Sequence, residues 1–157
     1  MAIRNIRIME DDILRKHCKP VKEMTLKTRH LIEDMLDTMY LAGGVGLAAP
    51  QVGILKQVVV VDVGDGPIVM VNPEVLETAG EQSGMEGCLS LPGKHALVTR
   101  PNYVKVKAFD KNMEPFVLEG EELLARAILH ECDHLKGIMY VDIMEGELED
   151  VPEEDEE

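Results

Sequence analysis

Two histidines four residues apart, with a carboxylate beside the first, make His130-Glu131-Cys132-Asp133-His134 the stretch whose chemistry is easiest to name. On a helix, at about 100° per residue, His130 and His134 stand one turn above each other and can address a single ion. This is the HExxH spacing of zinc-type hydrolases. Helix geometry does not choose Glu131 over Asp133, because the two flank the His130–His134 line symmetrically. A surface helix carrying two histidines by chance would show the same pentapeptide, so a third ligand decides between the readings. Catalytic metal sites use three protein ligands and keep one position open. Cys132 lies about 200° around the helix from His130 and faces away. Cys18 has no informative neighbours. Cys88 would read as a small buried hydrophobe if it stood alone, but it sits in Glu86-Gly87-Cys88-Leu89-Ser90, bordered by Gly84 and Gly93. It is the best candidate.

These residues need elements to hold them. Leu123, Ala127, His130 and His134 fall on one helical face, with Glu121 and Glu122 suited to the first turn and Gly137 to the stop. A second helix starts at a Thr25 or Thr28 cap, carries the stripe Leu31, Ile32, Met35, Leu36, Met39 and Tyr40, and ends at Gly43-Gly44. His30 beside that stripe reads as packed or half-exposed. The stretch Gly44 to Gln51 is small and glycine-rich, which lets backbone or a ligand approach closely. It is not a phosphate loop, and polar Gln51 after an apolar run has no structural reason. Strands are expected over residues 58–63, buried on both faces, over 68–71 after an Asp65-Gly66-Pro67 turn, over 103–109, and over 116–118. Ile13 and Leu14 anchor the start, where His17 and Cys18 read as surface or packing residues. The order predicts an α+β fold, antiparallel sheets packed around a central HExxH helix with an N-terminal helix.

A chain of 157 residues predicts one domain, residues 1–145. Nine of its 30 acids lie from Glu145 onward, so the net charge of -14 leaves only -5 for the rest. Residues 146–157 therefore read as an acidic, disordered tail. So acidic a chain is a poor partner for nucleic acid. No apolar run approaches membrane-spanning length and no signal peptide precedes residue 10. Three cysteines without framework spacing fit a reducing cytoplasm. A monomer is expected.

Three segments, GVGLAAPQ (44–51), EGCLS (86–90) and HECDHLKG (130–137), resemble the signature motifs of the peptide deformylases, in order and at similar spacing. The opening IRNIRIMEDDILRKHCKPV also resembles that family, and the likeness covers residues 3 to 143. It implies removal of the formyl group from the N-terminal formyl-methionine of new polypeptides. Cys88, His130 and His134 would hold the metal, and the resemblance selects Glu131 as proton carrier. A metal brings the pKa of its water from ~15.7 toward ~7, giving a hydroxide to attack the formyl carbonyl. The resemblance gives the Gln51 side-chain amide and the Leu89 N–H as oxyanion donors, and Fe(II) as the ion, with Zn(II), Ni(II) or Co(II) substituting. Gly44, Val45 and Gly46 would lie beside the peptide in strand-like pairing. Leu123, Ala127 and the stem of Arg126, with Val45, would line the methionine pocket. Leu129 departs from the Gln often found before the HExxH, and the chain lacks the long C-terminal helix of some members. Two other readings remain. A small HExxH zinc metalloprotease usually takes a downstream third ligand, and no histidine follows His134. A metal-stabilised binding module needs a fourth ligand, which the sequence does not offer.

Overall fold

In the computed structural model of the protein, which describes residues 2–152, the Thr25 hydroxyl accepts the Thr28 N–H at 3.1 Å and starts helix α1, Leu26–Leu41. Leu31, Ile32, Met35 and Met39 form its buried stripe, as their spacing demands. Tyr40 and His30 fall on the exposed side instead. The Tyr40 hydroxyl donates to Asp62 at 2.6 Å. The chain then forms β1 (Gly46–Ala48), β2 (Val58–Val61), β3 (Ile68–Ala79), β4 (Gln82–Cys88), β5 (Leu91–Arg100), β6 (Tyr103–Phe109) and β7 (Pro115–Glu121). Helix α2, Glu122–His134, and β8, Met144–Asp150, complete it. The fold is α+β, with two antiparallel sheets ordered β1-β2-β3-β6-β7 and β4-β5-β8.

The β2 run explains how the helices are held. Val58 and Val60 pack with the α1 stripe, while Val59 and Val61 pack with Ala125, Ile128 and Cys132 of α2. All four valines are buried because the sheet carries a helix on each side there. In β6, Val104, Val106 and Ala108 face the α2 side and the lysines between them face outward. Among the described residues, no helix is long and apolar enough to cross a membrane.

The structure corrects three expectations. First, the strand beginning at Ile68 does not stop at Val71. It passes Asn72-Pro73 with a register shift and pairs with β6 as far as Ala79. Asn72 adopts a left-handed φ of 52°, and its side-chain amide pairs with both the N–H and the C=O of Val21 at 2.7 Å. That amide stands in for the missing ladder bonds. Second, the Cys88 segment is a hairpin rather than a loop: β4 and β5 pair from Gln82–Arg100 to Cys88–Leu91, with Leu89 and Ser90 at the turn.

Third, the acidic stretch after residue 145 is not a disordered tail as far as it is described. Gly146–Asp150 belong to β8, which pairs with the outer edge of β5. Composition counted charges and missed two things. A strand edge offers unpaired backbone groups that another strand can satisfy, and Met144 and Leu148 pack with Ala96, Val98 and Tyr140. Residues 153–157 of the expected tail lie outside the described residues. Deleting residues 146–157 is expected to lower Tm by roughly 5 °C, about 2 kcal/mol for a chain of this size. An unchanged melting curve would mean that β8 adds nothing to the fold.

Candidate metal centre

The last turn of α2 places His130 and His134 with their Nε2 atoms 3.3 Å apart. The end of β4 brings Cys88 Sγ to 3.3 Å from His134 Nε2. All three donor atoms lie within 4.8 Å of one another, and no fourth residue joins them among the described residues. With metal–nitrogen bonds of about 2.0–2.1 Å and metal–sulfur bonds of about 2.3 Å, the edges of a tetrahedron would be about 3.3–3.6 Å. The donors fit one borderline metal ion with a position to spare.

Why Cys88 arrives there can be traced outward. The β4–β5 register shifts between Glu86 and Cys88, and the turn that follows buries Ser90 completely. The Gln51 amide donates to Ser90 Oγ at 3.0 Å and to Cys88 Sγ at 3.4 Å. Its carbonyl accepts the Ala48 N–H at 2.9 Å, so its NH₂ must be the end that faces the sulfur.

Glu86 organises the other side. Its carboxylate takes Arg100 at 2.8 and 2.6 Å, Arg126 at 2.7 Å, and His130 Nδ1 in a short contact. With Nδ1 donating to the carboxylate, the His130 Nε2 lone pair is left for a metal. The Tyr140 ring stacks against His130 at 6.0 Å. Burial works against the Glu86 anion, but Arg100 and His130 outweigh it and hold its pKa down at about 2. Arg100 also donates to Asp133 at 3.0 Å, and Arg126 donates to the Val98 carbonyl at 3.2 Å. The charged end of Arg126 is thus engaged by Glu86 and the Val98 carbonyl.

Glu131 and Asp133, symmetric on the helix, have different surroundings. Asp133 is engaged by Arg100 and partly exposed. Glu131 is buried with Oε2 3.9 Å from His130 Nε2, and its Oε1 has no partner among the described residues. Burial pushes its carboxyl up to about 7, against the attraction of His130. Gly46 makes room for it: a Cβ there would sit 2.6 Å from Glu131 Oε2.

The two histidines titrate as a pair. Burial opposes the His130 cation, but Glu131, Cys88 and Glu86 overcome this and raise it to about 10. Burial and the neighbouring His130 charge push His134 the other way. The two imidazoles thus shift in opposite directions because each disfavours a charge on the other. Cys132 and Cys18 are different in kind. Both sit in the core behind α2, where burial raises their thiols to about 12 and about 11.

The donors lie at the floor of a cleft of about 630 Å³. Gly44, Val45 and Gly46 line it, as do Gln51, Cys88, Leu89, Leu123, Arg126, Ala127, His130 and Glu131. His134 is fully buried beneath them. Sequence reasoning missed Glu86 and Arg100. A single acid inside a glycine-rich motif was the available sign of the first. The second had none, since an arginine at the end of a strand is ordinary. Leu91, Lys94 and Val151 also line the cleft and were not anticipated.

Comparison with known proteins finds relatives over nearly the whole chain. A family model described as polypeptide deformylase matches residues 3–149. The peptide deformylase of Lachnoclostridium phytofermentans is 63% identical, with 100% of this chain and 98% of that protein covered. The crystal structure of a Legionella pneumophila peptide deformylase superposes with a TM-score of 0.88 at 45% identity, covering 91% of this chain and 86% of that one. The Thermotoga maritima enzyme gives a TM-score of 0.90 at 41% identity, covering 92% and 99%. Such identity over the whole length leaves neither the metalloprotease nor the binding-module reading standing, and the chain belongs to the polypeptide deformylase family, hydrolases that remove the N-formyl group from new polypeptides.

Proposed function

We propose that this chain deformylates N-terminal formyl-methionine with Cys88, His130 and His134 holding one divalent ion, Fe(II), for which Zn(II), Ni(II) or Co(II) can substitute. The observation that carries this reading is the spacing of the three donor atoms, 3.3 Å across both His130–His134 and Cys88–His134, beside the buried Glu131 carboxylate, whose Oε1 has no partner among the described residues. A thiolate with two imidazoles suits several borderline metals. When bound, the ion supplies Lewis acidity that makes water nucleophilic near neutral pH. Glu131 takes the proton of the attacking water on its carboxylate and returns it to the departing amine. Its dry surroundings and a pKa raised to about 7 suit a group that must both accept and release a proton.

As the formyl carbon becomes tetrahedral, its oxygen gains charge. The Gln51 NH₂, fixed toward Cys88 by the Ala48 N–H, and the Leu89 N–H at the hairpin turn donate to that oxygen. One such donor is typically worth ~2.7–4 kcal/mol of barrier. The backbone of Gly44, Val45 and Gly46 pairs with the peptide as an extra strand. The methionine side chain rests on Leu123, Ala127, Val45 and the Arg126 methylenes, whose charged end is already engaged by Glu86 and Val98. Helix α2 is the element about which both sheets supply the site. The protein acts as a cytoplasmic monomer on nascent chains, and its charge of -14 keeps it from binding nucleic acid directly.

The test combines metal analysis with an assay on formyl-Met-Ala-Ser, run beside the unformylated peptide as a control for peptide-bond cleavage. Anaerobic preparation is expected to give an active iron protein. Preparation in air should lose activity that Ni(II) or Co(II) restores, because Fe(II) oxidises while an intact thiolate and two imidazoles can take up another divalent ion. Cys88→Ser, His130→Ala and His134→Ala should each lose tight metal binding and turnover, whereas Cys132→Ser and Cys18→Ser keep both. Metal retained by Cys88→Ser but lost by Cys132→Ser would overturn the ligand assignment. Equal activity with zinc after either preparation would overturn the choice of iron.

A further inference from the structure

We propose that Tyr140 is a positioning residue of the metal centre. Its buried hydroxyl donates to the Cys88 thiolate, directly or across one bound water, and steadies the sulfur that ligates the ion. The inference rests on the ligand assignment above and extends it to a residue outside the cleft.

The chain brings Tyr140 to the site by a fixed route. After α2 ends at His134, a short 3₁₀ helix, Tyr140–Asp142, follows. The Asp142 carboxylate accepts the Met139 N–H at 2.9 Å and pairs with Arg15, which clamps the backbone on either side of Tyr140. The side chain is 1% exposed and packs with Ala96 and Val98 of β5, with Cys88 and Leu91 against the same cluster. Its ring stacks on His130, with centroids 6.0 Å apart and planes inclined by 27°. One side chain thus neighbours two of the three ligands.

What sets Tyr140 apart is an unused hydroxyl. It is buried and has no hydrogen-bond partner among the described residues. A phenylalanine would fill the same space without the cost of a buried, unsatisfied polar group. Two acidic groups lie near the hydroxyl, Cys88 and Glu86. Glu86 has no room for another donor: Arg100 uses both of its oxygens, Arg126 one and His130 the other. Those four bonds fill the lone-pair sites that a carboxylate offers. The sulfur does have room. Apart from His134, its partner is the Gln51 amide at 3.4 Å, which the formyl oxygen also calls on during the reaction. Metal ligation requires the thiolate, and a charged acceptor makes the stronger hydrogen bond. Burial first, then Cys88 and Glu86, push the Tyr140 hydroxyl up to about 12, so it stays an O–H donor and not a phenolate. Hydrogen bonding around a ligating sulfur tunes the metal it holds.

The test loads the parent protein, Tyr140→Phe and Tyr140→Leu with Co(II) without air. It records the thiolate-to-cobalt charge-transfer band, Co(II) affinity by chelator competition, and kcat and KM on formyl-Met-Ala-Ser. Phe keeps the ring and removes only the hydroxyl. Tyr140→Phe should move the band to longer wavelength, because the sulfur electrons are held less tightly. It should also weaken Co(II) binding about tenfold, the lower end of the usual loss for such a support. Its Tm after chelator treatment should not fall, and KM should stay the same because Tyr140 does not line the cleft. Tyr140→Leu also removes the stack on His130 and should weaken Co(II) binding further. Tyr40→Phe, at an exposed tyrosine of α1, should change neither band nor affinity. An unmoved band and affinity in Tyr140→Phe would overturn the inference. So would a phenolate band in the parent that Tyr140→Phe abolishes, which would make Tyr140 a ligand. A parent with no thiolate band would overturn the Cys88 assignment, and the inference with it. The expected band shift without turnover of the formylated peptide would overturn the deformylase reading alone.

Discussion

Glu131→Gln is expected to bind the metal as the parent protein does and to lose about 10³-fold in kcat. Gln has the shape of Glu, so the close approach to Gly46 and the packing of α2 are preserved. The three donor atoms belong to other residues and remain in place. What disappears is a group that can accept a proton, and positioned proton transfer is worth typically ~10²–10⁴ in rate. The substitution also removes a carboxyl whose ionisation is opposed by burial, so the variant should melt no lower than the parent. Metal content, kcat on formyl-Met-Ala-Ser and Tm on one preparation check all three statements. Near-normal turnover would remove Glu131 from the mechanism, and a metal-free variant would make it a ligand or a support for one.

The parts of the site legible in the sequence were those encoded by local spacing. His130 and His134 are related by one helical turn, which four residues fix without reference to the rest of the chain. The β2 valines likewise announce a strand covered on both faces. Cys88 could be chosen because its rivals could be dismissed, one by its direction on the helix and one by its neighbours. The β4–β5 hairpin was not legible. Its first strand, Gln82–Cys88, carries three polar residues and two glycines, and only pairing with β5 makes it a strand. β8 was hidden for a related reason: four of its seven residues are acids, and backbone pairing outweighed a composition that suggests disorder. The Glu86 cluster joins residues 14, 40 and 44 positions apart, a relation that no helical or strand period encodes.

That cluster makes the largest prediction for stability. Arg100→Met is expected to cost ~3–5 kcal/mol, because removing one member of a buried ionic group leaves the other charges dry and undercompensated. At roughly 2–4 °C per kcal/mol, Tm should fall by about 10 °C or more. Glu86 would keep Arg126 and His130, but Asp133 would lose its only ion-pair partner among the described residues. The exposed Arg7–Asp11 pair provides the contrast, since Arg7→Ala should change stability by less than ~1 kcal/mol. Adding Glu86→Gln to Arg100→Met should cost less than the sum of the two single changes, because the second removes the charge that the first left unpaired. Glu86 also fixes the His130 ring through Nδ1, so Glu86→Gln alone should weaken metal binding by about 10–100-fold, the usual consequence of losing such a support. Thermal melts of the three variants, with chelator competition for the metal, separate the two effects. A strictly additive double variant would show that Arg100 and Glu86 act independently. Unchanged metal affinity in Glu86→Gln would show that the His130 ring is held by its packing against Tyr140 and the helix rather than by the carboxylate.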